Sequence, residues 1–247
     1  MNPRSLREAK KILKQIRDLL VPIVGFEAYV APPFPFIKSL YPLVRLTSIK
    51  LGAQNIHFEN EGAFTGEVSL PMIEEWVDFV IIGHSERRAM GETNKIVNRK
   101  LHRVLDAGLR AILCIGESKE DYLKKDSEKI IEQLRSGLEG VNLKKVSEDL
   151  IIAYEPVWAI GTGIPADASY VEKNVFLIRQ FISSLYTRET GAKVPVLYGG
   201  SVKAQNVKDF ISRQGINGFL VGGASLDPGE FSAICQQAKE LYKTKNK

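Results

Sequence analysis

Two side chains with acid–base chemistry end apolar runs of the 247-residue chain. In DFVIIGHSERR, His84 closes a run that reads as a buried strand, and Ser85 and Glu86 open a short helix directly after it. A histidine beside a helix N-terminus feels the positive end of the dipole, which favours its neutral form and leaves an N–H able to polarise a carbonyl. In IIAYEPVWAIGTG, Glu155 closes a second run just before Pro156, a position biased away from helix, so its carboxylate is expected at the strand mouth. Burial beneath Trp158 and Ile160 is expected to raise its basicity. The AIGTG that follows joins an apolar patch to small residues, as a closing lid requires. A structural histidine and a capping or ion-paired glutamate are the competing readings here, and for His57 and His102 the structural reading stands alone.

Two further runs, VLYGGSV and FLVGGASL, end in paired glycines. Gly199, Gly200 and Ser201 in one, and Gly222, Gly223 and Ala224 in the other, would let backbone N–H groups approach an anion closely. A carboxylate base, a neutral imidazole, an anion cradle and a lid together describe proton abstraction next to the carbonyl of a phosphorylated sugar fragment.

Seven apolar runs carry these groups: EAYVAPP, SIKLGAQN, DFVIIGHSE, LRAILCIGE, DLIIAYEP, KVPVLYGGS and INGFLVGGAS. They are rich in Val, Ile, Leu and Ala with little polar alternation, the pattern of parallel strands covered on both faces. Helical patterns separate them, giving eight expected helices. The first, with Leu6, Ala9, Ile12, Leu13, Ile16, Leu19 and Leu20 on one face, is introduced by a Ser5–Glu8 capping box. The last starts at Asp227, Pro228 and Glu230 and buries Phe231, Ile234, Ala238 and Leu241. An open doubly wound sheet could hold seven strands. Glycine-rich and polar residues at the C-terminal end of nearly every strand favour instead a (β/α)8 barrel, as one domain over residues 1–247.

Composition narrows the partners. Net charge is +5, but Lys and Arg are spread over many helix faces without a nucleic-acid-binding signature, and no run is apolar and long enough to span a bilayer. Neither nucleic acid nor membrane is expected as a partner, and the expected location is cytoplasmic. Cys114 and Cys235 lack metal-ligand spacing and read as buried free thiols.

Taken in order, GAQN, GAFTGE, VIIGHSERR, CIGE, AYEPVWAIGTG, YGGSV and VGGASL resemble the triosephosphate isomerase family across essentially the whole chain. The resemblance implies a barrel enzyme that interconverts dihydroxyacetone phosphate and glyceraldehyde 3-phosphate through an enediolate, with no cofactor and no metal. It makes Glu155 the base and His84 the neutral electrophile, with Ser85 and Glu86 behind the histidine and Cys114 and Glu117 in a supporting motif. Gly161, Ser201, Gly222 and Gly223 would hold the phosphate, and Tyr198 with Ser201 would latch the lid, a closure of which this family is itself a standard example. GAFTGE resembles a loop that docks into a partner subunit, which implies a homodimer, or a higher assembly of dimers, with Thr65 near the neighbour's site.

The chain departs from the family pattern twice. The second lid hinge reads Ile164, Pro165, Ala166, where the family more often has a Lys-Thr-Ala-like triplet, and the proline stiffens one hinge dihedral. The family also carries a first strand ending in Asn-x-Lys-Met-Asn just ahead of the capped helix, whereas this chain begins Met1-Asn2-Pro3. The expectation is therefore a barrel without its first strand, Met1 being an internal methionine, with circular permutation excluded by the short basic tail. The alternative function is a catalytically impaired homologue that keeps phosphate binding and dimer assembly. Another phosphosugar isomerase is disfavoured by the full lid motif.

Overall fold

The apolar runs become one parallel sheet. A computed structural model describes residues 2–245, and Met1, read above as an internal methionine, lies outside the described residues. The strands are β1 (Ala28–Val30), β2 (Ile49–Ala53), β3 (Phe79–Ile82), β4 (Arg110–Ile115), β5 (Leu150–Tyr154), β6 (Val196–Tyr198) and β7 (Gly218–Phe219), hydrogen-bonded in chain order. Every neighbouring pair is parallel. Parallel neighbours need crossovers, and these are mostly helical. α1 (Leu6–Leu20) precedes β1 and α2 (Ile37–Val44) follows it; α3 (Ser85–Ala89) and α4 (Asn94–Asp106) link β3 to β4. α5 (Lys119–Leu123), α6 (Glu128–Gly137) and α7 (Leu143–Asp149) link β4 to β5, and α8 (Ala168–Leu185) and α9 (Arg188–Lys193) link β5 to β6. α10 (Val207–Ile211) links β6 to β7, and α11 (Pro228–Lys245) follows β7.

The expected tally of eight helices is corrected: the described residues hold eleven α-helices, because several crossovers are broken into short pieces, and none lies between β2 and β3. That crossover is made by two single 3-10 turns, Leu70–Met72 and Glu74–Trp76. The Ser5 capping box is half formed. Ser5 Oγ accepts Glu8 N–H at 3.2 Å, but the Glu8 carboxylate turns to Arg4 N–H at 2.7 Å. α1 buries Ala9, Leu13, Ile16 and Leu20 and packs on α2 and α11.

Side chains alternate between two apolar layers, as strand pleating dictates. Leu51, Val80, Leu113, Ile152 and Val196 face the helices, while Phe79, Ile112, Cys114, Ile151 and Ala153 meet inside the curled sheet. β5, at the centre, is buried along its whole length, and burial falls toward β1 and β7, which do not pair with each other. The architecture is a (β/α) barrel with one strand position open between β1 and β7. Among the described residues no helix is long and apolar enough to cross a membrane.

Candidate active site

β3 and β5 deliver His84 and Glu155 to the same end of the sheet, where Glu155 N–H extends the ladder to Ile115 O at 2.8 Å. Glu155 is 3% exposed and its carboxylate is held at two points. Oε1 lies 3.0 Å from His84 Nε2, and Oε2 accepts Ser85 N–H at 3.0 Å. His84 is the N-cap of α3, its Nδ1 accepting Glu86 N–H at 3.2 Å. A ring nitrogen that accepts a backbone N–H keeps its lone pair, so the imidazole proton sits on Nε2, aimed at Glu155. Burial works to lower the His84 pKa, but the hydrogen bond and charge of Glu155, and then the charge of Glu86, outweigh it, and the net direction is upward. The carboxylate therefore opposes the helix dipole on which the sequence reading relied.

The backbone behind Glu155 is packed to contact. A Cβ on Gly116 would lie 1.6 Å from Glu155 O, so this position of the CIGE segment can hold only glycine without moving the base. Gln133 of α6 clamps Gly116, accepting its N–H at 2.8 Å and donating to its carbonyl at 3.0 Å. Cys114 is wholly buried beside Glu155, and burial, followed by the Glu155 charge, pushes its thiol well above the ordinary range. Such a thiol packs and does not react at neutral pH.

Glu117 fixes one end of the lid. Its buried carboxylate accepts Tyr154 OH at 3.0 Å, Trp158 Nε1–H at 2.8 Å and Tyr170 OH at 3.0 Å. Burial raises its pKa against the pull of these donors. Tyr122 stacks on the Trp158 ring, centroids 4.0 Å apart. Ser201 Oγ then donates to Ala159 O at 3.1 Å, and Ala166 N–H donates to Tyr198 OH at 3.2 Å. Ala159 and Ala166 are buried and residues 161–165 between them are exposed, so the segment is tied at both ends and free in the middle. Gly161 and Gly163 take φ of +71° and +76°, left-handed values that let the tip turn back.

A cavity of about 1210 Å³ is lined at this end by His84, Glu155, Ile160, Gly199, Gly200 and Gly222. Gly223 opens a single 3-10 turn (Gly223–Leu226), whose first N–H groups have no helical acceptor. Gly161, Ser201 and Gly223 are not on the cavity wall in this lid position, and Thr65 lies elsewhere, on the exposed loop before β3. His57 N–H anchors that loop on Val68 O at 2.8 Å, and the Arg99 guanidinium covers the Phe58 ring at 3.8 Å.

Several supporting residues escaped the sequence reading. Gln133 and Tyr170 sit on helices distant in sequence from the motifs they brace. Arg88, of the SERR signal, donates to Gly83 O at 2.8 Å and Cys114 O at 3.3 Å, tying the ends of β3 and β4 together. The double arginine after His84 was the available clue.

A parallel barrel sheet that pairs a buried carboxylate with an imidazole at its C-terminal mouth, under a tethered lid, has the architecture of a (β/α)-barrel isomerase. The family model described as triosephosphate isomerase matches residues 1–238. The chain is 42% identical over 236 residues to the triosephosphate isomerase of Dehalococcoides mccartyi, covering 95% of this chain and 92% of that protein. It is 44% identical over 230 residues to that of Carboxydothermus hydrogenoformans (92% and 91% covered) and 46% identical over 212 residues to that of Aquifex aeolicus (84% of each). The chain belongs to the triosephosphate isomerase family.

Proposed function

We propose that the chain interconverts dihydroxyacetone phosphate and glyceraldehyde 3-phosphate, acting as one barrel domain in the cytoplasm. Glu155 takes a proton from the carbon beside the carbonyl and returns it to the neighbouring carbon, passing through an enediolate. His84 Nε2–H polarises the oxygens between which the double bond moves. Backbone N–H groups at Gly161, Ser201, Gly222 and Gly223 hold the phosphate, Gly161 only once the lid closes over it. Glu86 and Ser85 set the histidine, Cys114 fills the space behind the base, and Glu117, Tyr198 and Ser201 govern the lid.

The observation that carries this reading is the buried Glu155 carboxylate, poised 3.0 Å from both His84 Nε2 and Ser85 N–H on the cavity wall. A homodimer is part of the proposal. The loop around Thr65 projects with Phe64 39% exposed, an apolar tip suited to insertion into a second copy. The test of the base is Glu155→Asp, which keeps the charge and withdraws it by one methylene, a misplacement that costs on the order of a hundred-fold in turnover. Undiminished isomerisation of glyceraldehyde 3-phosphate by a folded variant would refute the assignment.

The open strand position supports a second reading, in which the chain binds the phosphorylated ligand but turns it over slowly because water reaches the site through the gap. Tight binding of a phosphorylated analogue with turnover far below that of a closed barrel distinguishes the two.

A further inference from the structure

β1 and β7 face one another across an apolar slot. Neither edge is paired on its outer side among the described residues, although both strands run parallel to their inner neighbours. α1, which leads into β1, packs directly on α11, which leaves β7, so the helical layer is closed over a sheet that is not. The resulting cavity, about 1210 Å³, exceeds the roughly 300–1,000 Å³ of small-molecule pockets. It runs from Ile12 of α1 and Cys235 and Ala238 of α11, in the helical layer, through the sheet to His84 and Glu155 at the strand mouths.

The side chains that border the slot are less buried than their equivalents at the sheet centre. Tyr29 and Leu220 lie half-buried against the inner layer, and Val30 and Phe219 half-buried against the outer one. Apolar faces on both sides and unpaired backbone on both edges are a combination that only an extended polypeptide satisfies, since a compact ligand or a helix leaves the two ladders open. We propose that this slot binds an extended peptide of about five or six residues, parallel to β1 and β7, with apolar side chains on both faces.

The test uses the full chain and the peptide acetyl-Ser-Val-Ile-Val-Ala-Ser-amide, with a twin N-methylated at alternate residues that keeps the side chains and loses backbone donors. Hydrogen exchange is followed at the amides of β1 and β7. At a peptide concentration about tenfold above its dissociation constant, exchange on both edges is expected to slow by roughly tenfold, and the methylated twin is expected to leave it unchanged. Equal protection by both peptides would mean that apolar contact alone fills the slot, and protection of one edge would mean simple edge addition. Edges already protected in a free chain that elutes as a larger species would mean that a second copy occupies the slot. Each of these three results overturns the proposal. If the free chain aggregates, refolding yield replaces exchange: a yield raised by the peptide and not by its twin supports the slot, and equal yields overturn it. Both readouts are independent of turnover, so they stand apart from the isomerase reading.

Discussion

Gly116→Ala displaces the proposed base without altering any group that does chemistry. The added Cβ would lie 1.6 Å from Glu155 O, 2.6 Å from Glu155 C and 3.2 Å from Glu155 Cα. Reaching even 3.0 Å, below which real Cβ contacts essentially do not occur, needs about 1.4 Å of separation between the two backbones. Gln133 resists on the Gly116 side, with one hydrogen bond to its N–H and one to its carbonyl. A large part of the shift therefore falls on β5 and on Glu155. A displacement near 1 Å costs on the order of a hundred-fold in rate. The expected result is a folded variant whose kcat falls by about two orders of magnitude with KM changed much less, because the proposed phosphate cradle lies mainly beyond β6 and β7. Gly199→Ala gives the internal comparison: its closest contact would be Glu155 Cγ, at 3.0 Å, and a side chain yields more easily than a strand, so its loss should be smaller. Steady-state kinetics in both directions, with circular dichroism to confirm folding, decide the matter. A Gly116→Ala enzyme that folds and keeps kcat within a few-fold of the parent would show that the site tolerates movement of its base.

The electrostatics give two more expected outcomes. The His84 pKa stands above 6.5 because of Glu155, so the stability it contributes is complete below the unfolded value and is lost as pH rises through the folded one. Glu155→Gln removes that charge and leaves burial to act, so the imidazole pKa measured by NMR should fall; an unchanged or higher value would refute the coupling. Arg179 is held by the carbonyls of Gly191, Ala192, Val194 and Gly215 and by Asn217 Oδ1, and burial lowers its pKa. Asn217→Asp would supply a charged acceptor at 2.7 Å and is expected to add about 1 kcal/mol, read as a Tm higher by roughly 2–4 °C. An unchanged or lower Tm would show that the carbonyl cage already suffices.

Local periodicity is enough to place all seven strands, because a parallel strand buried on both faces must be an uninterrupted apolar run. Caps are equally plain: Asp227 accepts the N–H groups of Gly229 and Glu230, as a residue type that favours N-caps does. The helix tally is not, since breaks within crossovers depend on which face the curled sheet presents and not on composition. His84 and Glu155 can each be picked out as polar residues ending apolar runs. Their 3.0 Å contact cannot, because it depends on the register and curvature of β3, β4 and β5 together. The same holds for Gln133, whose glutamine reads as an ordinary helix surface residue until α6 packs its side chain against Gly116. Strand runs, helix caps and the chemical types at the strand ends are thus written in the chain itself, since all of them rest on interactions within a few residues. Which of those groups meet, how tightly Gly116 backs the base and that β1 and β7 face an open slot emerge only on folding, because they depend on distances between segments that no local pattern encodes.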